Sequence, residues 1–159
     1  MSSRIKPIPS GFHTLTPHLV VKGASKAIEF YKKAFGAEVV RQVPAPDGKS
    51  FLHVDLKIGD SHIFLVDEFP QMGCLGPESI GGTPVTIHMF VEDVDAAFGK
   101  AVAAGAQVKM PLADMFWGDR YGLLTDPFGH AWSMATHKED LTPEQIGKRA
   151  QSACAGAAA

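Results

Sequence analysis

The chain contains two stretches in which apolar and polar residues alternate and then give way to helical spacing. The first covers 16–21 and the second 86–91. After each, apolar residues recur three or four positions apart, as they do on one face of a helix. The apolar positions of the first helix are Ala27, Ile28, Tyr31, Ala34 and Phe35, and those of the second are Val94, Ala97, Phe98, Ala101 and Val102. Gly36 and Gly105 predict where these helices end.

Three further strands follow each predicted helix. Alternation resumes after the first helix over 38–43, 50–58 and 62–66, and after the second over 107–110, 120–125 and 130–135. Such short alternating runs, bounded by glycine and proline, are typical of β-strands. Because the same order of elements occurs twice, we interpret the chain as a duplication. It predicts an α+β fold of two βαβββ modules in a pseudo-twofold arrangement, with curled mixed sheets that enclose a cleft.

We interpret the whole chain, 1–159, as a single domain. Module one covers about 13–68, and a linker rich in glycine and proline covers about 69–84. Module two covers about 85–137, and a C-terminal helix and tail occupy 138–159.

Side chains that accept hydrogen bonds from a first helical turn predict where the helices begin. Ser25 is the predicted cap of the first helix, and Asp93 or Asp95 that of the second. Thr142, followed by proline and then by Gln145, predicts a capped helix near the C-terminus.

A sheet covered by a helix on one face leaves its other face open, and two such sheets can curl around a shared cleft. Side chains alternate across a strand, so Thr16 and His18 share one face, and Thr86 and His88 share its counterpart. We therefore expect both histidines to point into the same space, or both away from it.

The composition of the chain limits the kinds of partner that we expect it to bind. The formal net charge of −2 provides no basic surface for nucleic acid or for an anionic membrane. No apolar run approaches the roughly 20 residues of a membrane span. Cys74 and Cys154 are the only cysteines and make no disulfide framework. We expect a cytoplasmic protein whose partner is a small molecule, not nucleic acid or a membrane.

Several motifs resemble those of one known family. Residues 91–95 are similar to the strand-to-helix passage of the glyoxalase I, bleomycin-resistance and extradiol-dioxygenase superfamily, the vicinal-oxygen-chelate proteins. Residues 126–130 resemble the Asp-Pro-x-Gly turn before their last strand, and 20–36 resemble their first helix. The run 113–122 resembles an uncharacterised glyoxalase-like branch. The resemblance covers about 13–137 and implies a small-molecule site and a homodimer.

The resemblance also locates the positions that hold a divalent metal in metal-dependent members. The first-strand positions fall on Thr16 and Thr86, and the last-strand position of module two falls on Ser133. The counterpart in module one falls on Phe64 or Leu65. Catalytic divalent cations prefer carboxylates or imidazoles, so the orthodox metal positions are not filled.

His18 and His88 lie two residues beyond the first-strand metal positions. In one interpretation they are catalytic, as displaced ligands of a divalent metal or as acid–base groups, because imidazole titrates near neutrality. In the other they are hydrogen-bonded structural histidines retained from the duplication. Both interpretations stay open, and the cofactor is left unassigned.

Polar and aromatic side chains are densest just before the penultimate strand. There Trp117 and Tyr121 would stack on a flat ligand, and Arg120 would hold a carboxylate or phosphate, with Asp119 beside them. Alternatively, Arg120 pairs with Asp119 or Asp114, and Trp117 covers a sheet edge or a dimer interface. By contrast, Phe64 and Trp132 are expected in the core.

These observations favour a glyoxalase-like or bleomycin-resistance-like protein that binds a small organic ligand, with an anion favoured by Arg120, in the cleft. The predicted ligand contacts are Thr16, Thr86, Trp117, Asp119, Arg120, Tyr121 and Ser133. One alternative is a metal-dependent lyase, isomerase or dioxygenase that uses His18 and His88. A second is a non-catalytic dimeric scaffold.

Overall fold

The computed structural model describes residues 5–157 of the chain and the side chains of residues 5–153. The predicted α+β class and the two βαβββ modules are confirmed. Module one consists of β1 (His18–Val21), α1 (Ala24–Phe35), β2 (Glu38–Pro44), β3 (Phe51–Ile58) and β4 (Ser61–Asp67). A 3-10 turn (Pro70–Met72) and α2 (Pro77–Ile80) follow. Module two consists of β5 (Thr86–Phe90), α3 (Val94–Ala104), β6 (Gln107–Asp114), β7 (Asp119–Thr125) and β8 (Ala131–His137), and α4 (Pro143–Ala157) comes last.

The chain divides into two compact units. One holds the described residues up to Pro84 together with Pro127–His130, and the other holds Val85–Asp126 and the residues from Ala131 onward. The interpretation of the chain as one domain, and the predicted cleft, stay predictions.

Module one is built on an open four-stranded sheet in the order β1-β4-β3-β2. β1 runs parallel to β4, and His18 lies opposite Phe64. The remaining pairs are antiparallel. α1 packs against β3 and β4 and covers one face of the sheet. The side chains buried there include Leu19, Val21, Ala27, Ile28, Tyr31, Val54, Leu56, Ile63 and Leu65. Each large apolar side chain removed from water contributes about 1.5–3 kcal/mol to folding.

Module two repeats this arrangement in the order β5-β8-β7-β6. His88 lies opposite Ser133 in the parallel pair β5–β8. α3 packs against β6, β7 and β8, and Phe98, Leu124 and Trp132 are buried there. The prediction that Trp132 belongs to the core is therefore confirmed. Val102 was assigned to the same apolar face of this helix and was expected to be buried, but its side chain stays 39% exposed.

The helices α1 and α3 are capped in different ways at their N-termini. The prediction that Ser25 caps α1 is wrong. The N-cap residue is Gly23, which has no side chain that could accept a hydrogen bond from the first turn. Asp67, at the end of β4, accepts hydrogen bonds from the N–H groups of Gly23 (3.1 Å) and Ala24 (2.8 Å) instead. The cap thus comes from a residue more than 40 positions away in sequence, which no local motif reveals. In α3, Asp93 is confirmed as the cap and accepts from the N–H of Ala96 at 3.0 Å.

The largest difference between predicted and observed strand boundaries is in β6. β6 continues to Asp114, whereas the sequence predicted a loop after Met110. Its register shifts between Met110 and Ala113, so Pro111 falls in an irregular part of the ladder, where its missing N–H does not interrupt pairing. Thr16 precedes β1, which begins only at His18.

The capping prediction for the last helix is confirmed. Gln145 donates its backbone N–H to Thr142 Oγ1 at 3.3 Å, and Thr142 donates its N–H to Gln145 Oε1 at 2.8 Å. This reciprocal pair is a capping box. Across the part of the chain that is described, no helix combines the length and apolar character that a bilayer crossing requires.

Candidate ligand-binding site

The face of the first sheet opposite α1 carries polar and aromatic side chains. Val54 and Leu56 of β3 are buried on the helix side. Because side chains alternate along a strand, His53 and Asp55 project from the other face, as does Phe64 of β4. Phe64 was expected in the core, but its side chain is only half-buried and lies on the face opposite α1.

A pocket of about 440 Å³ lies against this open face. One wall comes from the chain before β1 and consists of Pro7, Ile8, Pro9, Phe12, His13 and Thr14. The other wall consists of Thr16 and the sheet residues Arg41, His53, Asp55 and Phe64. The pocket thus combines proline and aromatic surfaces with a few polar groups, as small-molecule sites commonly do. Of the predicted ligand contacts, Thr16 lies here.

Arg41 is a charged group of the pocket that has no ion-pair partner among residues 5–153. It lies opposite Asp55 in the β2–β3 pair, and its side chain is exposed. Within residues 5–153, Arg120 pairs with Asp95 and Arg149 with Glu139, whereas Arg41 makes no ion pair. A guanidinium with open donors is suited to bidentate binding of a carboxylate or phosphate.

Asp55 is turned toward a different partner. Its Oδ1 lies 2.7 Å from His62 Nδ1, and both side chains are less than 10% exposed. The ring of Phe12 stacks on His62, with centroids 4.0 Å apart and planes 25° from parallel. The carboxylate therefore fixes His62, and His62 in turn supports Phe12 as part of the pocket wall. These contacts give His62 a structural role.

His18 lies beside the pocket. Its ring meets Phe64 edge-on at 6.2 Å, and His53 meets the same phenyl ring at 4.6 Å. Partial burial, with a smaller contribution from the nearby His53, lowers the pKa of His18. The imidazole is thus mainly neutral at pH 7.

The open face of the second sheet carries a row of rings around His88. The ring of His88 meets Phe90 edge-on at 4.5 Å and stacks with Tyr121 at 6.0 Å. His88 Nδ1 lies 2.7 Å from Ser133 Oγ, and Ser133 is buried. Partial burial lowers the pKa of His88, and the charge of Asp119 opposes this shift. Thr86, the first residue of β5, lies exposed at the end of this face.

Trp117 lies in contact with both Asp119 and Tyr121. Trp117 donates its indole N–H to Asp119 Oδ2 at 3.0 Å, and its ring meets Tyr121 edge-on at 5.4 Å. Asp119 Oδ1 also lies 2.7 Å from His137 Nδ1, while His137 Nε2 lies 3.0 Å from Asp140. The two carboxylates, Asp140 first, raise the pKa of His137.

Arg120 is separated from this cluster. It follows Asp119 and precedes Tyr121, so its side chain leaves the opposite face of β7. There it pairs with Asp95 in the first turn of α3 and with Asp114 of β6. The alternative in which Arg120 pairs with Asp114 is therefore observed, and the pairing with Asp95 is an addition to it.

The residues at the family's metal positions do not fit a divalent cation. Because His18 pairs with Phe64 as His88 pairs with Ser133, the position in module one is Phe64 and not Leu65. A phenyl ring offers no lone pair, and the hydroxyl of Ser133 already binds His88. Within residues 5–153, no three side chains of His, Cys, Asp and Glu form a group that could hold a metal ion.

The sequence prediction missed most of the pocket. Arg41, His53 and Asp55 lie on strands that were predicted, and strict alternation along β3 was available to place His53 and Asp55 on one face. Phe12 carried no signal, because it lies in an irregular segment whose course depends on its stacking with His62.

Comparison with known proteins identifies the family. Residues 11–134 match the sequence model of the Glyoxalase/Bleomycin resistance protein/Dioxygenase superfamily, and the chain belongs to this superfamily. An uncharacterised protein of Mycobacterium tuberculosis, Rv0887c, is 50% identical over 136 residues, which are 83% of this chain and 79% of that protein.

Solved structures agree with this assignment. TioX from Micromonospora sp. ML1 is 28% identical, with a TM-score of 0.60 over 82% of this chain and 100% of TioX. The fosfomycin resistance protein FosX from Listeria monocytogenes is 20% identical, with a TM-score of 0.62 over 84% of this chain and 97% of FosX. The likeness to FosX concerns the fold alone.

Proposed function

We propose that this protein binds a small aromatic carboxylate, or a similar organic anion, in the pocket on the open face of the first sheet. The observation that carries the proposal is Arg41, an arginine without an ion-pair partner among residues 5–153, placed in a pocket with the phenyl rings of Phe12 and Phe64. The ligand class is the one expected from the sequence, but we now assign the binding of the anionic group to Arg41 and not to Arg120.

The two sides of the pocket suit the two parts of such a ligand. The rings of Phe12 and Phe64, whose centroids are 5.9 Å apart, offer apolar surface to an aromatic ring. Arg41 offers donors to the anionic group, and a guanidinium–carboxylate bond is roughly twice as strong as one between neutral groups. Asp55 is also in the pocket, but its Oδ1 faces His62, so its charge is partly compensated by that hydrogen bond.

Binding of 1-naphthoate to the full chain tests the proposal, with isothermal titration calorimetry at pH 7 as the measurement. We expect saturable binding by the unchanged protein and binding about tenfold or more weaker in Arg41→Gln, since each 1.4 kcal/mol is a factor of ten. Arg149→Gln is the matched control, because Arg149 pairs with Glu139 outside this pocket. The absence of saturable heat up to millimolar naphthoate, or equal affinities of the two variants, would overturn the proposal.

The other functions predicted from the sequence lead to different results in binding and activity measurements. A non-catalytic scaffold would not bind 1-naphthoate. An enzyme that relies on His18 and His88 would lose turnover when they are changed, independently of Arg41; the lowered pKa of both rings favours the neutral form that a general base requires. The enzymatic role and the homodimer stay predictions.

A further inference from the structure

The segment before β1 forms about half of the candidate pocket, and its first part lies outside the family's common part. The superfamily match begins at residue 11, whereas Pro7, Ile8 and Pro9 already line the pocket. We call residues 7–14 the arm. Its lining side is mainly proline, isoleucine and phenylalanine, while the facing sheet residues are mainly polar. The apolar surface available to a ligand therefore comes largely from the arm.

Specific contacts hold the arm against the sheet. Phe12 stacks on His62 at 4.0 Å, and His62 is fixed from behind by Asp55 at 2.7 Å. The N–H of Phe12 bonds to the carbonyl of Pro9 at 3.1 Å, which closes a turn just before the ring. Gly11 in this turn has φ +88°, a conformation that L side chains rarely adopt. The turn and the buried pair together fix where the Phe12 ring lies.

We propose that the arm is the specificity-determining wall of the site: Phe12, held by the Asp55–His62 pair, selects ligands by the size of their aromatic ring. This inference rests on the proposed function, because it concerns the same pocket. It adds a division of labour in which Arg41 provides affinity for the anionic group and the arm discriminates between ring systems. Burying one further ring against the arm removes additional apolar area from water, whereas the anion contact is the same for every carboxylate.

The experiment compares two carboxylates that differ by one fused ring, 1-naphthoate and benzoate. Their dissociation constants are measured by calorimetry for the full chain and its variants. We expect the unchanged protein to prefer naphthoate, and the preference to fall at least fivefold in Phe12→Ala. Leu15→Ala is the matched control, because Leu15 follows the arm, is 86% exposed and does not line the pocket. It should keep the preference of the unchanged protein.

A second variant guards against a local effect of Phe12→Ala on folding. Removal of residues 1–10 leaves the whole superfamily match in place and deletes Pro7, Ile8 and Pro9 from the wall. This shortened chain should also prefer naphthoate less than the unchanged protein does. Its binding of benzoate should still depend on Arg41. Thermal melting of each variant confirms that it is folded.

The outcomes separate the inference from the proposed function. If neither carboxylate binds the unchanged protein, both ideas are wrong. If both bind and depend on Arg41, but the preference is the same in Phe12→Ala and in the shortened chain, the inference alone is wrong. If the preference falls in these two variants and not in Leu15→Ala, the arm is the specificity wall.

Discussion

Arg120 donates two hydrogen bonds of 2.7 Å to Asp95, and this pairing holds the arginine on the helix side of the second sheet. A third contact, at 3.3 Å, reaches Asp114. Asp95 lies in the first turn of α3, where its negative charge also interacts favourably with the helix dipole. The guanidinium that looked most available in the sequence is thus occupied, and the one in the candidate pocket, Arg41, is not.

The first prediction follows from this pairing. Arg120→Gln should lower the melting temperature slightly, because it removes a fork-like ion pair between β7 and α3. It should leave the affinity for 1-naphthoate unchanged. Thermal melting and calorimetry on the same preparation measure both effects. A loss of naphthoate affinity comparable to that of Arg41→Gln would show that the wrong arginine has been assigned to the ligand.

The second prediction concerns Asp67, which replaces a local helix cap. Its carboxylate accepts hydrogen bonds from Gly23 and Ala24 and, at 2.8 Å, from the N–H of Phe51. Asp67→Ala leaves one buried and two part-buried donors without this partner, and we expect a loss of about 1–3 kcal/mol in the free energy of unfolding. Urea denaturation measures it.

Asp93→Ala is the matched comparison, because it removes the cap of α3, which accepts a single bond from its own helix. Loss of an ordinary N-cap costs about 1 kcal/mol. Equal effects of the two substitutions, or a larger effect of Asp93→Ala, would contradict the role assigned to Asp67.

The fold could be predicted from the sequence because the patterns that indicate it are local and occur twice in the chain. The apolar stripe of α1 and the glycine after it are visible in the residues, as is the capping box at Thr142, and each corresponds to an observed element. Ser25 shows where local evidence fails. It has the right chemistry for a cap, but Asp67 reaches the same N–H groups from another strand, and only tertiary structure brings it there.

The candidate site was less accessible to sequence analysis for the same reason. Which residues share an open face follows from alternation, as for His53 and Asp55. Which charges remain available depends on partners that are distant in sequence, such as Asp95 for Arg120. The place of Phe12 depends on a stacking contact with a ring 50 positions later. None of these partners is marked by a motif.

The third prediction concerns the close approach of α3 to its sheet. A Cβ on Gly122 would lie 2.7 Å from Phe98 Cε2 and 3.1 Å from the carbonyl oxygen of Met110. Gly122→Ala should therefore destabilise the protein by about 1–3 kcal/mol, as overpacking does. Gly99→Ala is the control, since a Cβ there meets nothing within 4 Å and alanine favours a helix. Chemical denaturation that ranks Gly122→Ala as the more stable variant would contradict the close packing.

The fourth prediction concerns pH. Asp140 and Asp119 raise the pKa of His137 above its unfolded value of about 6.5. Protonated His137 thus favours the folded state, and its contribution is complete below about pH 6.5 and is lost as the pH rises through the folded-state pKa. His137→Gln should lower the melting temperature at pH 5.5 and much less at pH 9. An equal decrease at both values would mean that the charge of His137 is not involved.

A crystal structure of the full chain with 1-naphthoate tests the central claim most directly. We predict that the carboxylate lies within 3.5 Å of the Arg41 guanidinium and that the rings contact Phe12 and Phe64 on the open face of the first sheet. Naphthoate bound elsewhere, with no ligand density beside Arg41, would contradict the account.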